Sequence, residues 1–221
     1  TKMQLLLIRH AKSVNYENHK RQSPATPLGE LGKKQASLLA ERIKALSEAT
    51  SQEYECVITS DWKRAIETAE IIAKRLGIPL TKSSYIHEYL SNKILENQPF
   101  NGNLVKEFEK AVREKGINFD WKFRGGGECL RDVINRAIKF RKNLIKNYKN
   151  KNVLVVSHGL FITAFITVLL LGDDYKDKEF DRVSKMIYLE STSITHLEYD
   201  EEGKSWKIHC LNDSSHLNLL R

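Results

Sequence analysis

Cysteine is scarce in this chain, and that scarcity narrows the field first. Cys56, Cys129 and Cys210 are an odd, widely separated set of three with no C-x-x-C spacing. They argue against a disulfide framework or zinc module and for a reducing compartment. Each reads as a small buried hydrophobe. With only 4 prolines and no repeat or low-complexity tract, nothing marks a linker between domains. A long hydrophobic run is missing too. The most apolar stretch, LFITAFITVLLL at 160–171, falls short of the roughly 20 residues that a bilayer crossing takes, and reads as a buried helix. The apolar opening meets Arg9 too early to form a signal-peptide core. A cytoplasmic protein without membrane contact is expected.

What is present fits one globular domain over 1–221, large enough to bury roughly 70% of the surface of its unfolded chain. Hydrophobic residues make up 41% and aromatics 9%. Lys+Arg 36 against Asp+Glu 28 leaves a net charge of +8, which favours anionic partners without choosing among them. The basic run KFRKNLIKNYKNK at 139–151 alternates charge with apolar residues, so it reads as the outer face of a helix rather than a nucleic-acid surface.

Apolar runs at 3–9, 54–60 and 152–157 read as strands, the first and last buried on both faces. A further short strand is expected at 80–87. Helical spacing covers about 30–49, 61–76, 104–115 and 130–150, with Asp61 as a cap and Gly77-Ile78-Pro79 as a stop. Residues 88–103 read as loop. The runs TSITHLEYD and KSWKIHCL, joined by EEGK, read as a closing hairpin. Alternating strands and helices predict an α/β fold, a three-layer sandwich whose mostly parallel central sheet is flanked by helices.

Functional groups of such sheets gather beyond the carboxyl ends of the strands. Arg9-His10, Ser60 followed by Arg64, and Ser157-His158 all fall there. Two arginines beside two histidines oppose a metal cation and suit an anion, because guanidinium forks match phosphate oxygens. A neutral imidazole can serve as the nucleophile.

These residues resemble the histidine phosphatase superfamily, the phosphoglycerate mutase-like fold. RHA at 9–11 is similar to the family's Arg-His-Gly, and TPLGELGKKQA at 26–36 to its Pro-Leu-Thr-x-x-Gly-x-x-Gln-Ala segment. SDWKRAIETA at 60–69, GGGECLRDVINR at 125–136, VLVVSHGLFI at 153–162 and the tail LNDSSHL at 211–217 follow in family order. The resemblance implies a phosphohistidine mechanism. His10 attacks phosphorus, while Arg9, Arg64 and His158 hold the phosphoryl oxygens. Backbone N–H groups near Gly159 add donors. Glu88 is the general acid and base, with Glu96 as runner-up, and no metal or other cofactor is called for.

Departures from the pattern carry expectations of their own. Ala11 stands for a glycine, Gly29 for a threonine and Cys129 for a serine. Asn15, one residue short of the family's phosphate-binding asparagine, is a candidate phosphate ligand, because Tyr16 holds that position. Lys12, Lys20 and Arg21 could grip a second anionic group. The segment from Glu88 to Gly125 is short and not basic, which favours a phosphatase over a mutase. A weakly catalytic adaptor or a nucleic-acid-binding protein is the alternative of a different class. The expected partner is a small phosphorylated metabolite, not nucleic acid or membrane, and a homodimer is left open.

Overall fold

The structure, a computed structural model, describes residues 2–115 and 118–220. Six strands form one sheet: β1 (Lys2–Arg9), β2 (Cys56–Ser60), β3 (Leu80–Ser83), β4 (Asn152–Ser157), β5 (Ile194–Asp200) and β6 (Ser205–Asp213). Their order is β3-β2-β4-β1-β5-β6. Strands β3, β2, β4 and β1 pair in parallel, and the hairpin β5–β6 adds antiparallel pairs at one edge. The helices are α1 (Val14–Glu17), α2 (Glu30–Thr50), α3 (Lys63–Leu76), α4 (Asn103–Lys115), α5 (Leu130–Tyr148), α6 (Gly159–Leu171) and α7 (Asp177–Met186).

Strand alternation builds the layers. Met3, Leu5 and Leu7 of β1 face one core with Val153 and Val155 of β4, closed by Phe140 of α5 and Phe161 and Phe165 of α6. Leu6, Ile8, Leu154 and Val156 point the other way, against Leu39 and Ile43 of α2 and Ala65 and Ile72 of α3. Side chains on a strand alternate between faces, so a continuous apolar run requires cover on both. This is the expected mostly parallel sheet between two helical layers. Helix α6, apolar on nearly all sides, is buried from Phe161 to Val168, whereas Leu170 and Leu171 at its end are exposed, contrary to expectation. Among the described residues no helix is long and apolar enough to cross a membrane.

Several local expectations are corrected. The strand expected over 80–87 stops at Ser83, whose hydroxyl accepts a hydrogen bond from the Tyr85 N–H and turns the chain into a 3-10 turn at Ser84–Ile86. Helix α3 starts at Lys63, not Asp61, because the Trp62 N–H donates to Ser60 Oγ at 3.2 Å and keeps the corner extended. The loop after His10 holds the short α1, capped by the Ser13 side chain. Helix α7 was not expected from the sequence; it is a short amphipathic helix that buries Phe180. Gly77 ends α3 in the left-handed conformation as the stop signal required.

The segment TPLGELGKKQA has a physical reading here. Gly29 caps α2 without a side chain, and the cap is supplied from outside, by Glu17 Oε1 accepting the Gly32 N–H at 3.2 Å. A Cβ on Gly32 would fall 1.8 Å from the backbone oxygen of Lys12, whereas the nearest atoms to one on Gly29 belong to the Glu17 carboxylate, a side-chain end that can shift at the cost of its cap bond. Gly32→Ala is therefore expected to push back the backbone two residues after His10 and cost about 1–3 kcal/mol, as overpacking does. Gly29→Ala should cost clearly less, which paired urea denaturation curves would check.

Candidate active site

Register brings the site together. Strands β1 and β4 end side by side, Arg9 opposite Ser157, and the His10 N–H donates to Ser157 O at 2.9 Å. The residues that follow them, His10 and His158, therefore place their rings 4.8 Å apart. Strand β2, on the other side of β4, ends at Ser60 and delivers Arg64 from the first turn of α3.

His10 is 3% exposed, and each ring nitrogen has a partner. Nδ1 lies 2.7 Å from its neighbour's carbonyl, Ala11 O, and Nε2 accepts the Arg64 Nε–H at 3.0 Å. A carbonyl only accepts, so Nδ1 carries the hydrogen and Nε2 keeps the lone pair. Burial, reinforced by Arg64 and Arg9, holds the imidazolium form of His10 well below its usual pKa of 6.5. His158 is fully buried and lowered for the same first reason. Its Nε2 lies 2.8 Å from Ser60 Oγ, and its Nδ1 has no hydrogen-bond partner.

Arg64 is also buried, and the loss of hydration lowers its pKa to about 10, so it remains a cation at neutral pH. Besides His10, it donates to Ser23 O at 3.0 Å and lies 4.9 Å from the Trp62 ring centroid. Arg9 donates through one terminal nitrogen to Leu189 O, while its buried Nε is unpartnered. Arg9 Nε and His158 Nδ1 are thus buried polar nitrogens with nothing opposite them. Buried polar groups without partners are rare, because desolvation then goes uncompensated.

The loop after His10 is clamped by residues of two motifs. The Ala11 N–H donates to Thr68 Oγ1 and the Lys12 N–H to Gln35 Oε1, each at 3.1 Å. Ala11 is not among the residues with positive φ, so alanine in place of glycine strains nothing there.

Glu88 lines the same cavity as Arg9, His10 and Arg64. Its carboxylate accepts the Tyr89 N–H at 2.9 Å and the Leu160 N–H, in the first turn of α6, at 3.2 Å. An N–H near Gly159 thus serves the carboxylate, which a helix N-terminus attracts. Glu96 lines the cavity as well. Asn15 is placed differently from expectation. Both hydrogens of its Nδ2 are taken, by Arg21 O and Asn97 Oδ1 at 2.8 Å each, so it braces two loops. Tyr16, Arg21 and Gln22 line the cavity instead. Among the described residues, no group of three or more His, Cys, Asp or Glu side chains is placed to hold a metal ion.

Several supporting residues lay in quoted motifs without an assigned role. Arg136 and Glu128 form a two-toothed ion pair, at 3.0 and 2.9 Å, on the acid-bearing segment. Arg136 also donates to the carbonyls of Tyr85 and His87 at 2.8 Å, and Glu128 accepts the Leu90 N–H at 3.0 Å. Gly127, at φ 79, passes so close that a Cβ would stand 2.4 Å from Leu90 O. At the other end of the chain, the tail returns to Arg9. The Thr192 N–H donates to Arg9 O at 3.0 Å, and the Thr192 hydroxyl lies 2.9 Å from His216 Nε2. Asn212 Oδ1 accepts the Glu190 N–H at 2.7 Å, beside the Leu189 carbonyl that holds the Arg9 guanidinium. Apart from the Glu128–Arg136 pair, eight residues apart, these contacts join segments remote in sequence and are not visible from spacing alone.

The chain matches the family described as "Histidine phosphatase superfamily (branch 1)" over residues 5–214. It is 26% identical over 225 residues to the "Probable phosphoglycerate mutase GpmB" of Yersinia enterocolitica, covering 98% of this chain and 96% of that one. Among solved structures it is similar to Bacillus stearothermophilus YhfR, with a TM-score of 0.79 and 24% identity, over 97% of this chain and 99% of that one. A phosphoserine phosphatase of Entamoeba histolytica, solved with phosphoserine, has a TM-score of 0.73 and 22% identity, with the same coverage of 97% and 99%. These structural likenesses show a shared fold.

Two outcomes are expected. His216→Ala frees Thr192 and with it the backbone of Arg9. It should lower kcat about tenfold to a hundredfold, the upper end being what a misplacement of about 1 Å costs. Restoration by His216→Gln would mark a positioning role, and an unchanged kcat would refute it. The second concerns pH. His10 and His158 are held below 6.5 by burial, and His216 down to about 4 for the same first reason. The unfolded chain therefore binds protons as pH falls through about 6.5, while the folded chain resists until lower pH. The melting temperature should drop between pH 7 and pH 5. A flat profile over that window would contradict the burial of neutral imidazoles.

Proposed function

This chain belongs to the histidine phosphatase superfamily, and on that premise we propose that it hydrolyses small phosphate monoesters through a phosphohistidine on His10. The observation that carries the proposal is the pair of buried, unpartnered nitrogens, Arg9 Nε and His158 Nδ1, beside a neutral imidazole that keeps its Nε2 lone pair. An anion with several acceptor oxygens answers that arrangement. The Ser60 hydroxyl donating to His158 Nε2 leaves the hydrogen on Nδ1, ready for a phosphoryl oxygen. Arg64, now on His10 Nε2, would turn its N–H to another oxygen as phosphorus arrives. Asn15 and Gly159, the other phosphate ligands expected, would act through the loop and helix start that they belong to.

The step balances on the residues present. Nε2 forms a bond to phosphorus as the P–O bond to the alcohol breaks. The leaving oxygen takes a proton from Glu88. Water then attacks phospho-His10 and gives a proton to the Glu88 carboxylate. The P–N bond breaks, its electron pair returns to Nε2, and orthophosphate leaves. Two guanidinium groups supply the positive charge that phosphoryl transfer needs, and the reaction is taken as metal-independent. The proposal treats 1–221 as one catalytic unit in the cytoplasm, acting on small phosphorylated metabolites without nucleic acid. It leaves open whether two copies associate.

The mutase reading rests on the names of relatives such as the Yersinia protein. It asks for a firm grip on a polyanionic substrate, which must stay bound while the phosphoryl group is returned. The cavity lining holds Arg9, Arg21 and Arg64 but no lysine, which supports hydrolysis instead.

The test measures phosphate release from p-nitrophenyl phosphate and from an alkyl phosphate, with chelator present. His10→Ala should abolish both activities and the acid-labile phosphoprotein. Glu88→Gln should lower kcat for the alkyl ester about a hundredfold or more and for p-nitrophenyl phosphate much less, because nitrophenolate leaves without a proton. Equal losses on both esters would remove Glu88 from the acid role, and mutase turnover exceeding hydrolysis would overturn the phosphatase reading.

A further inference from the structure

We propose that the favoured substrate is a phosphate monoester of a bulky apolar alcohol, whose hydrocarbon body lies in the cavity beyond His10. This rests on the phosphatase reading above. The cavity that holds Arg9, His10, Arg64 and Glu88 has a volume of about 540 Å³. That falls within the range of roughly 300–1,000 Å³ that encloses a drug-sized ligand, so a phosphoryl group alone would leave most of it empty.

The remaining wall decides what fits. Helix α4 contributes Phe108 and Val112, α6 contributes Leu160 and α7 contributes Phe180, with Trp121 and Leu130 between them. Phe108 and Trp121 are only half-buried and stack at 6.4 Å between ring centroids. Large apolar side chains left partly open to a cavity gain about 25 cal/mol for each Å² that a ligand takes from water. Such a wall is continuous with the reactive groups, so its occupant must carry the phosphate too.

Cationic charge beyond the reacting groups is sparse in the lining. Among the described residues Arg21 is the one further cation there, and its guanidinium lies over the apolar wall, 5.0 Å from the Phe108 ring centroid. Glu96 lines the same space and repels a second anion. Lys12 lies outside the lining, 5.8 Å over the Tyr16 ring, and Lys20 is exposed, so the lysines expected to grip a bisphosphate do not reach it.

A series of n-alkyl phosphates from methyl to decyl tests the proposal, with phenyl phosphate, 1-naphthyl phosphate, a phosphoglycerate and a sugar bisphosphate alongside. The expected kcat/KM rises about threefold to fourfold for each of the first several methylenes. Whether naphthyl or alkyl chains gain more distinguishes an aromatic alcohol from an aliphatic one. Val112→Asp, on a partly exposed helix position, should flatten the rise. A flat series, or preference for phosphoglycerate or bisphosphate, overturns the apolar body while leaving the phosphatase intact. Absence of His10-dependent release from every ester would instead sink the phosphatase reading. Calorimetry would then still judge the wall: decylphosphonate should bind at least about 30-fold more tightly than methylphosphonate, and equal affinities would refute it.

Discussion

Arg9 and Arg64 carry positive charge into a site whose imidazoles are kept neutral, and the rest of the active site follows from that imbalance. An uncompensated buried charge is costly, by several kcal/mol in real proteins. The chain offsets part of the cost locally. Arg64 has the Ser23 carbonyl, the lone pair of His10 and the face of Trp62, and Arg9 has the Leu189 carbonyl. Two buried nitrogens of the site, Arg9 Nε and His158 Nδ1, still lack partners among the described residues. Burial first, and then the same two cations, disfavour imidazolium and keep His10 neutral.

Two remote segments hold this arrangement in register. One is the Glu128–Arg136 pair at the start of α5, which fastens the backbone around Glu88 through the carbonyls of Tyr85 and His87. The other is the tail, where Asn212 and His216 fix the turn that carries Leu189 and Thr192 against Arg9. Both use hydrogen bonds between buried or half-buried groups rather than apolar packing, which suits a site whose geometry matters more than its burial. The surplus of surface lysine and arginine has a plainer role. On α5 and after it, Arg141 pairs with Asp173, Lys149 with Glu201 and Lys151 with Glu55, as the outer face of a solvated helix does.

Much of the fold was legible because burial leaves a period. The runs before Arg9 and before His158 are apolar without alternation, and only a strand covered on both faces explains that. Helices α2, α3 and α5 show one apolar face, and Gly77 marks its stop through the left-handed conformation. Helix α7 was missed although its face is amphipathic, because it is short and buries Phe180 alone. The strand expected to reach residue 87 ended early because one hydroxyl, Ser83's, captured the next turn. Asn15 misled for a related reason. An amide near His10 in sequence can donate in several directions, and here Arg21 O and Asn97 Oδ1 take both hydrogens.

The sequence by itself determined the ends of β1, β2 and β4 and the identity of the groups delivered there: Arg9, His10, Arg64 and His158. It could do so because each is fixed by its distance from a strand or helix start, a local matter. The tertiary structure alone decided the lone pair of His10, the grip on Glu88, the loop that Asn15 braces and the apolar wall of Phe108, Val112 and Phe180. Those depend on which remote atoms meet. A hydrogen bond between residues 24 positions apart, such as that between Thr192 and His216, leaves no periodic trace in the chain that forms it.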